Sequence, residues 1–564
     1  MKKGKIILAV FILNAMIAFS QAPVSRWITG ATLHSEPNEG ICVEHDSHGN
    51  IYVAGKFSSA IAFGADTLGT VAGATNVFLA KFDPAGNPVW AKGWGGVYND
   101  HPTAMAIDAD DNILLAGYFQ SPSITFGSYT LPNTTGSFGG TYGSMFIAKI
   151  DPSGGTLWAK GSINHSSIGS IILDMATDPS RNVIVVGMFN DSYFNFGGTS
   201  VYNTGLGDVF IYKFDGLGNE QWARSGSGSS YDWAYGVNTD AAGNIYVTGA
   251  AGTVTFGSVT LSSAGSQNLF LLKYTPAGAL TWGRMAGGTG GEFGSAIQVD
   301  PVGNVYVSGY GTCNYSFGPD TLIGHGGMDV VLLKYNVSGN PVWGINSTGT
   351  SSDYSPSSAL AIDDSCHLYL TGYFQSPSIG FGSYTLSNTG AYTDIYLASV
   401  DSSGNIVYAF RPPGRLSDVS NSITVDAAGG VFITGRFNSD TLDCGAHGLV
   451  NLDTLTYTMF LAKFNGDSAV ISPTSIEMHE LSSATTDIYP NPGDGLFTLR
   501  NVPTGCEIKV YSILGDLLFA ASADVPGTMQ VDLRGLSKGI YLVQLSGKNG
   551  EVKTAKLIIQ PGGY

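Results

Sequence analysis

Cations are scarce in this chain. Lysine and arginine number 26 against 43 aspartates and glutamates, giving a formal net charge of −17 over 564 residues. Nucleic acids and anionic lipid surfaces reward basic patches, so both are excluded as expected partners. Cysteine is rarer still. The five residues Cys42, Cys313, Cys366, Cys444 and Cys506 show no close spacing, which excludes a disulfide framework and a zinc site and leaves room for one bridge. The nine histidines are dispersed. No G-x-S-x-G elbow, H-E-x-x-H pair or phosphate loop occurs, and no cofactor or metal is expected. After residue 20 no apolar run is long enough to cross a membrane, and no stretch carries a helical period.

What is present is repetition. DSHGNIYVAG at Asp46–Gly55 returns as DADDNILLAG at Asp108, DPSRNVIVVG at Asp178, DAAGNIYVTG at Asp240, DPVGNVYVSG at Asp300, DDSCHLYLTG at Asp363 and DAAGGVFITG at Asp426. The leading aspartates stand 60 to 70 residues apart, the signature of an array of one supersecondary unit. Each copy reads as a tight turn, opened by Asp and closed by Gly or Asn, between two alternating apolar runs. A third run follows, as in FLAKFD at Phe78 or FIYKFD at Phe210. A fourth is marked by an aromatic: Trp90, Trp158, Trp222, Trp282, Trp343 and Tyr408. Four antiparallel strands, here A to D, repeated seven times predict an all-β, seven-bladed β-propeller.

The seventh repeat lacks its fourth strand, and an orphan SRWITG sits at Ser25. The chain is therefore expected to close its ring with an N-terminal strand, leaving no free edge between blades. Trp27→Ala should then destabilise about as much as Trp222→Ala. The B–C connections are long and carry a Phe-Gly mark at Phe63, Phe126, Phe196, Phe256, Phe317 and Phe381. The phenylalanines read as core filling beneath loops expected to differ from blade to blade.

The ends differ from the repeats. Residues 1–20 carry Lys2, Lys3 and Lys5 before an apolar run closing on Ala18-Phe19-Ser20, the pattern of a secretory signal. Residues 21–465 hold the repeats, 466–485 a linker, and 486–564 short alternating strands expected to form a small Ig-like β-sandwich. The repeats resemble those of secreted bacterial SBBP-type propellers, through their Gly-Asn-x-Tyr-Val-x-Gly strand. The tail, with Tyr489-Pro490-Asn491-Pro492, Val510-Tyr511, Gly515 and Leu536-Ser537-Lys538-Gly539-Ile540-Tyr541, resembles the type A C-terminal sorting domain of proteins exported by the type IX secretion system of Bacteroidota. That resemblance implies type IX machinery as a partner, removal of the tail, and a secreted or surface-bound monomer.

Function is expected at the face carrying the D–A and B–C connections, where carboxylates stand next to aromatics. Asp232, Trp233, Glu292, Asp353 and Tyr354 come from three successive repeats and are the candidate ligand residues, for a glycan or protein. A capping role for the same acids competes with this. An extracellular hydrolase or lyase using two such carboxylates, and a passive structural surface protein, are the alternatives. Four Asp-Thr-Leu triplets resemble a bacterial O-glycosylation sequon and mark Thr67, Thr321, Thr441 and Thr454.

Overall fold

The computed structural model describes residues 25–466, apart from 33–36, 71–73, 136–142, 165–169, 452–455 and positions 313, 389, 391 and 446, together with the strands between 488 and 559. Residues 1–20 and 467–487, the expected signal and most of the expected linker, lie outside the described residues. The chain divides into two compact units, Met1–Ser468 and Ala469–Tyr564.

Among the described residues every regular element is a strand. The first unit contains seven antiparallel sheets, one per repeat, each running A-B-C-D in order. In the fourth they are Trp233–Thr239, Ile245–Ala251, Asn268–Tyr274 and Leu280–Ala286. The A strands of successive sheets are neighbours all the way round, and that of the seventh meets that of the first. The ring is a β-propeller. Its closure is covalently out of order: Ser25–Thr29 pairs with Thr458–Asn465, placing Trp27 opposite Lys463 and Thr29 opposite Leu461. Strands B and C are buried on both faces, so they read as continuous Val, Ile, Leu, Phe and Tyr runs. The seven apolar cores of this unit each span two neighbouring sheets. The sheets are thus held face to face by burial.

The A–B turn explains the repeated aspartate. Asp240 Oδ1 accepts the amides of Ala242 and Asn244, while Oδ2 accepts Asn244 Nδ2 and the Tyr246 hydroxyl. Asp46 and Asp300 do the same with Tyr52 and Tyr306. In these three turns a lysine of strand C lies about 5 Å over the tyrosine ring: Lys81, Lys273 and Lys334. Where the tyrosine is absent, the lysine bonds the aspartate directly, Lys149 to Asp108 at 2.7 Å and Lys213 to Asp178 at 2.8 Å. In both arrangements the turn carboxylate has its near partners within its own sheet.

The described parts of the B–C connections are more regular than the expected differing loops. They are small hairpins of recurring build, such as Ile61–Phe63 with Asp66–Leu68 and Ser378–Phe381 with Tyr384–Ser387, and they lie against the outer D strand of their own sheet. The Phe-Gly pair makes this possible: Phe63, Phe126, Phe256 and Phe317 are at most 3% exposed, and the following glycine turns at positive φ. In two hairpins the aspartate of the Asp-Thr-Leu triplet also accepts a D-strand amide, Asp66 from Ala91 and Asp320 from Gly344. In the described part of each connection the mark encodes a hairpin of recurring build.

The second unit holds two antiparallel sheets, one of three strands between Ile488 and Asp532 and one of four between Cys506 and Ile559. They share a core of Phe497, Leu499, Ile508, Val510, Val531 and Val543.

The D-strand tryptophans tie neighbouring sheets. Trp90, Trp158, Trp222 and Trp343 each donate Nε1–H to a carbonyl in the next sheet's C–D turn. Trp27 packs on Gly86 and lies 6.0 Å from Phe432, but is only partly buried and its Nε1 has no partner. Equal weight with Trp222 is therefore no longer expected. Trp222→Ala should cost about 3–5 kcal/mol and Trp27→Ala about 2–3 kcal/mol. Thermal melts of both variants check this; a Trp27→Ala protein melting with the wild type would show that the closing strand contributes nothing.

Candidate functional site

Each A strand is an edge strand facing the axis, and its free backbone groups must be satisfied by the neighbouring sheet. At the loop face the first A-strand amide bonds a carbonyl of the preceding sheet: Asp100 to Thr75, Asp232 to Gly207, Glu292 to Gln267, Asp353 to Met328 and Asp418 to Thr393, at 2.7–2.9 Å. The carboxylates on these residues then turn inward. Asp353 accepts the amides of Gln375 and Ser376 and the Ser376 hydroxyl, and Asp100 and Asp418 hold their own B–C turns in the same way. Asp232 accepts from Gly252 N and Ser230 Oγ, leaving Oδ2 without a partner, and Glu292 from Gly288 N and Thr312 Oγ1. Asp232, Glu292 and Asp353 are at most 1% exposed. Burial pushes Asp232 and Asp353 up to about 6. The structure brings the three acids to one level in successive sheets and engages each with its own loop.

The aromatics beside them are placed differently. One residue further along strand A, opposite the residue that follows the repeat's glycine in strand B, lies a cross-strand pair in every sheet. These pairs are Glu39 with Lys56, His101 with Tyr118, Ile171 with Met188, Trp233 with Ala250, Phe293 with Tyr310, Tyr354 with Tyr373, and Val419 with Arg436. Seven aromatic residues of this set are half-buried. His101 stacks on Tyr118 at 5.1 Å, Phe293 on Tyr310 at 5.1 Å, and Tyr310 meets Tyr354 edge-on at 5.2 Å; Tyr354 lies 5.3 Å from Tyr373. Trp233 stacks on Tyr235 at 5.9 Å. Next to the aromatic arc, Glu39 bridges Lys56 at 3.1 Å and Arg436 at 3.2 Å. Burial raises Glu39, but the two cations outweigh it and hold the carboxyl below its usual range. Burial and Lys56 depress His101 to about 4, keeping it neutral and suited to stacking.

Of the five sequence candidates, Trp233 and Tyr354 thus belong to a rim of aromatics, with Glu39, Lys56, His101, Tyr118, Phe293, Tyr310, Tyr373 and Arg436 beside them. The sequence signal for half of these was the position after each repeat glycine. Thr67, Thr321 and Thr441 are exposed on the B–C hairpins; Thr454 lies outside the described residues.

At the opposite end the axis holds a polar cavity of about 490 Å³, lined by the A strands of all seven sheets. Beside Asp46, Asp108 and Asp111 of the A–B turns, two strand-A carboxyls enter it from non-adjacent sheets. Asp174 accepts the Val237 amide at 2.8 Å and Glu44 the Thr424 hydroxyl at 3.4 Å. Burial, with Asp174 nearby, raises Glu44 to about 8, and burial raises Asp174 to about 7. Neither was singled out from sequence, because each replaces an apolar or neutral residue in one copy only. The carboxylate of Asp108, within the acid-rich second turn, is taken by Lys149 and the turn amides.

Residues 487–560 match the family model described as a secretion system C-terminal sorting domain. Proteins carrying it are exported through the type IX system, and this protein is a secreted or cell-surface protein. No helix among the described residues is long and apolar enough to cross a membrane. An uncharacterized WD repeat-containing protein, L264, of Acanthamoeba polyphaga mimivirus is 22% identical over 71% of this chain and 35% of its own length. The regulatory protein FlaEY of Caulobacter vibrioides is 24% identical over 91% of this chain and 57% of its own. The chain therefore spans between about a third and somewhat over half of these curated relatives. Among solved structures, Sqt1 from Chaetomium thermophilum aligns over 77% of this chain and 87% of its own at 11% identity, with a TM-score of 0.37.

The two raised carboxyls fix a pH dependence. Their folded-state values lie above those of an unfolded chain, so the folded form takes up protons near neutrality. The associated stability is full at low pH and is lost as pH rises through about 7 to 8. The melting temperature should rise by on the order of 1–3 °C between pH 8.5 and pH 6.5. The double variant Glu44→Gln, Asp174→Asn should lose most of that rise; an unchanged slope would place these groups in solvent.

Proposed function

We propose that the ring is a recognition module displayed outside the cell, and that the aromatic rim is its contact surface for a glycan or protein. One observation carries this: half-buried aromatic pairs sit at a single register position of a rigid ring, next to a compact Glu39–Lys56–Arg436 cluster. Half-exposed rings offer flat apolar area for a sugar face or an aromatic side chain, and the charged cluster supplies directional hydrogen bonds. Among the original candidates, Asp232, Glu292 and Asp353 serve this reading as the residues that hold the rim in shape, while Trp233 and Tyr354 make contact. The repeats are read as SBBP-type and the source as a member of the Bacteroidota. Residues 21–465 are the ring, 466–485 a linker, and 486–564 an export address recognised by the type IX machinery.

A glycan and protein-ligand screen on the purified chain tests the rim. Any ligand found should bind Tyr354→Ala, Tyr373→Ala at least about tenfold more weakly, with melting nearly unchanged. Equal affinity in a folded double variant would move the site off the rim. A second reading, an acid/base enzyme, has one observation in its favour: Glu44 and Asp174 share the axial cavity with raised protonation. Turnover of a polysaccharide that disappears in Glu44→Gln would favour it.

Export has its own check. A chain ending at residue 485 should fold and accumulate in the periplasm, while the intact mass of the full-length exported protein should lack residues 1–20 and the tail. Added mass on that product would report sugar on Thr67, Thr321, Thr441 or Thr454. A truncated chain reaching the medium at normal levels would contradict the address.

A further inference from the structure

In the first four sheets the seam to the next sheet carries at its outer end a long cation two residues after the D-strand tryptophan, whereas the sixth sheet has Phe410 and the closing strand Thr29 at this position. Arg224 lies 5.3 Å over Trp222 and donates Nε–H to the Gly278 carbonyl at 2.9 Å. Arg284 lies over Trp282 in the same way and donates to Gly339 at 2.7 Å and Ser338 at 2.9 Å. Lys92 and Lys160 run alongside Gly154 and Gly218 of their next sheets. In the fifth sheet this position is Ile345, which is short, branched and without a donor. Gly404, its counterpart across the seam, lies under Trp343.

What remains between the fifth and sixth sheets is a cavity of about 570 Å³. Leu332, Ile345, Phe381 and Val400 line its walls, and Asn346, Ser383 and Asn405 add polar groups. No Lys, Arg or His lines it. Asp320, its one carboxylate, is already engaged by the Gly344 amide at 2.9 Å. The volume falls in the range of small-ligand sites, roughly 300–1,000 Å³. Water against such apolar walls finds few partners. An anion would find no cation there, and a cation only a committed carboxylate. A folded partner is too large to enter.

We infer that the seam between the fifth and sixth sheets is a binding site for a neutral, amphipathic small molecule, its apolar body between the sheets and a hydrogen-bond donor such as a hydroxyl or N–H at the Asn346 and Asn405 amide oxygens, whose NH2 groups already donate to Ile323, Ser347 and Asp401. The short Ile345 leaves room that an arginine covers in the neighbouring seam, and that seam supplies the control. Fluorescence titration of the full chain with N-phenyl-1-naphthylamine, a neutral probe, should show one saturable site. Ile345→Arg should weaken it at least about tenfold by closing the seam. Arg284→Ile should open the seam between the fourth and fifth sheets and raise the stoichiometry from about one to about two. If Ile345→Arg does not fold, Ile345→Lys, the kind of residue used in the first two sheets, gives the same readout. Undiminished binding by a folded Ile345 variant, or equal affinity for the anionic 8-anilinonaphthalene-1-sulfonate, would overturn the assignment.

Discussion

Everything at the rim depends on one close approach. In each sheet the carbonyl of the rim residue in strand A passes over the repeat's glycine in strand B, at a point where any Cβ would collide with it. Trp233 passes over Gly249 in this way and Tyr354 over Gly372. The approach is accompanied by a bulge just beyond, between Ala234 and Gly236 in the fourth sheet and at the same place in five others. In the sixth sheet the bulge has grown until strand A is interrupted between Tyr354 and Leu360. A bulge shifts the register by one and so decides which side chains stand at the mouth. The glycine is thus structural, and its consequence is the orientation of its neighbours.

The ring turns this local device into a surface. Successive sheets share apolar cores, and in most of them the first amide bonds backward across the seam, so the rim pairs are held at one level. The buried carboxylates belong to this scaffold: wherever Asp100, Asp353 or Asp418 takes two amides and a serine hydroxyl, a B–C connection is fixed to the start of strand A. The closing strand Ser25–Thr29 completes the circuit by giving the seventh sheet an outer edge of the same form as the others.

The fold was legible in the sequence to the extent that its causes recur. Turn aspartates, D-strand tryptophans and the Phe-Gly hairpins each repeat about every 60 residues, and each has one physical job. The candidate site was legible in part. Asp232 and Asp353 look the same in sequence whether they face a ligand or cap an amide, so their inward turn could not be read. Lys56, Tyr118, Tyr310, Tyr373 and Arg436 all follow the repeat glycine, yet the position is tyrosine in only three of the seven copies, and a search for what recurs throughout passes over it. Glu44, Asp174 and Ile345 escaped for a related reason: each is a departure whose meaning depends on what faces it across the axis or seam.

The account's central claim is that the aromatic rim is rigid before any ligand arrives. Native-state hydrogen exchange of the first A-strand amides measures this most directly, at Asp100, Asp232, Glu292, Asp353 and Asp418. The account predicts that they exchange only with the strand cores, through opening of whole sheets. Fast exchange at these amides, with the cores still protected, would mean a mobile mouth and would contradict it.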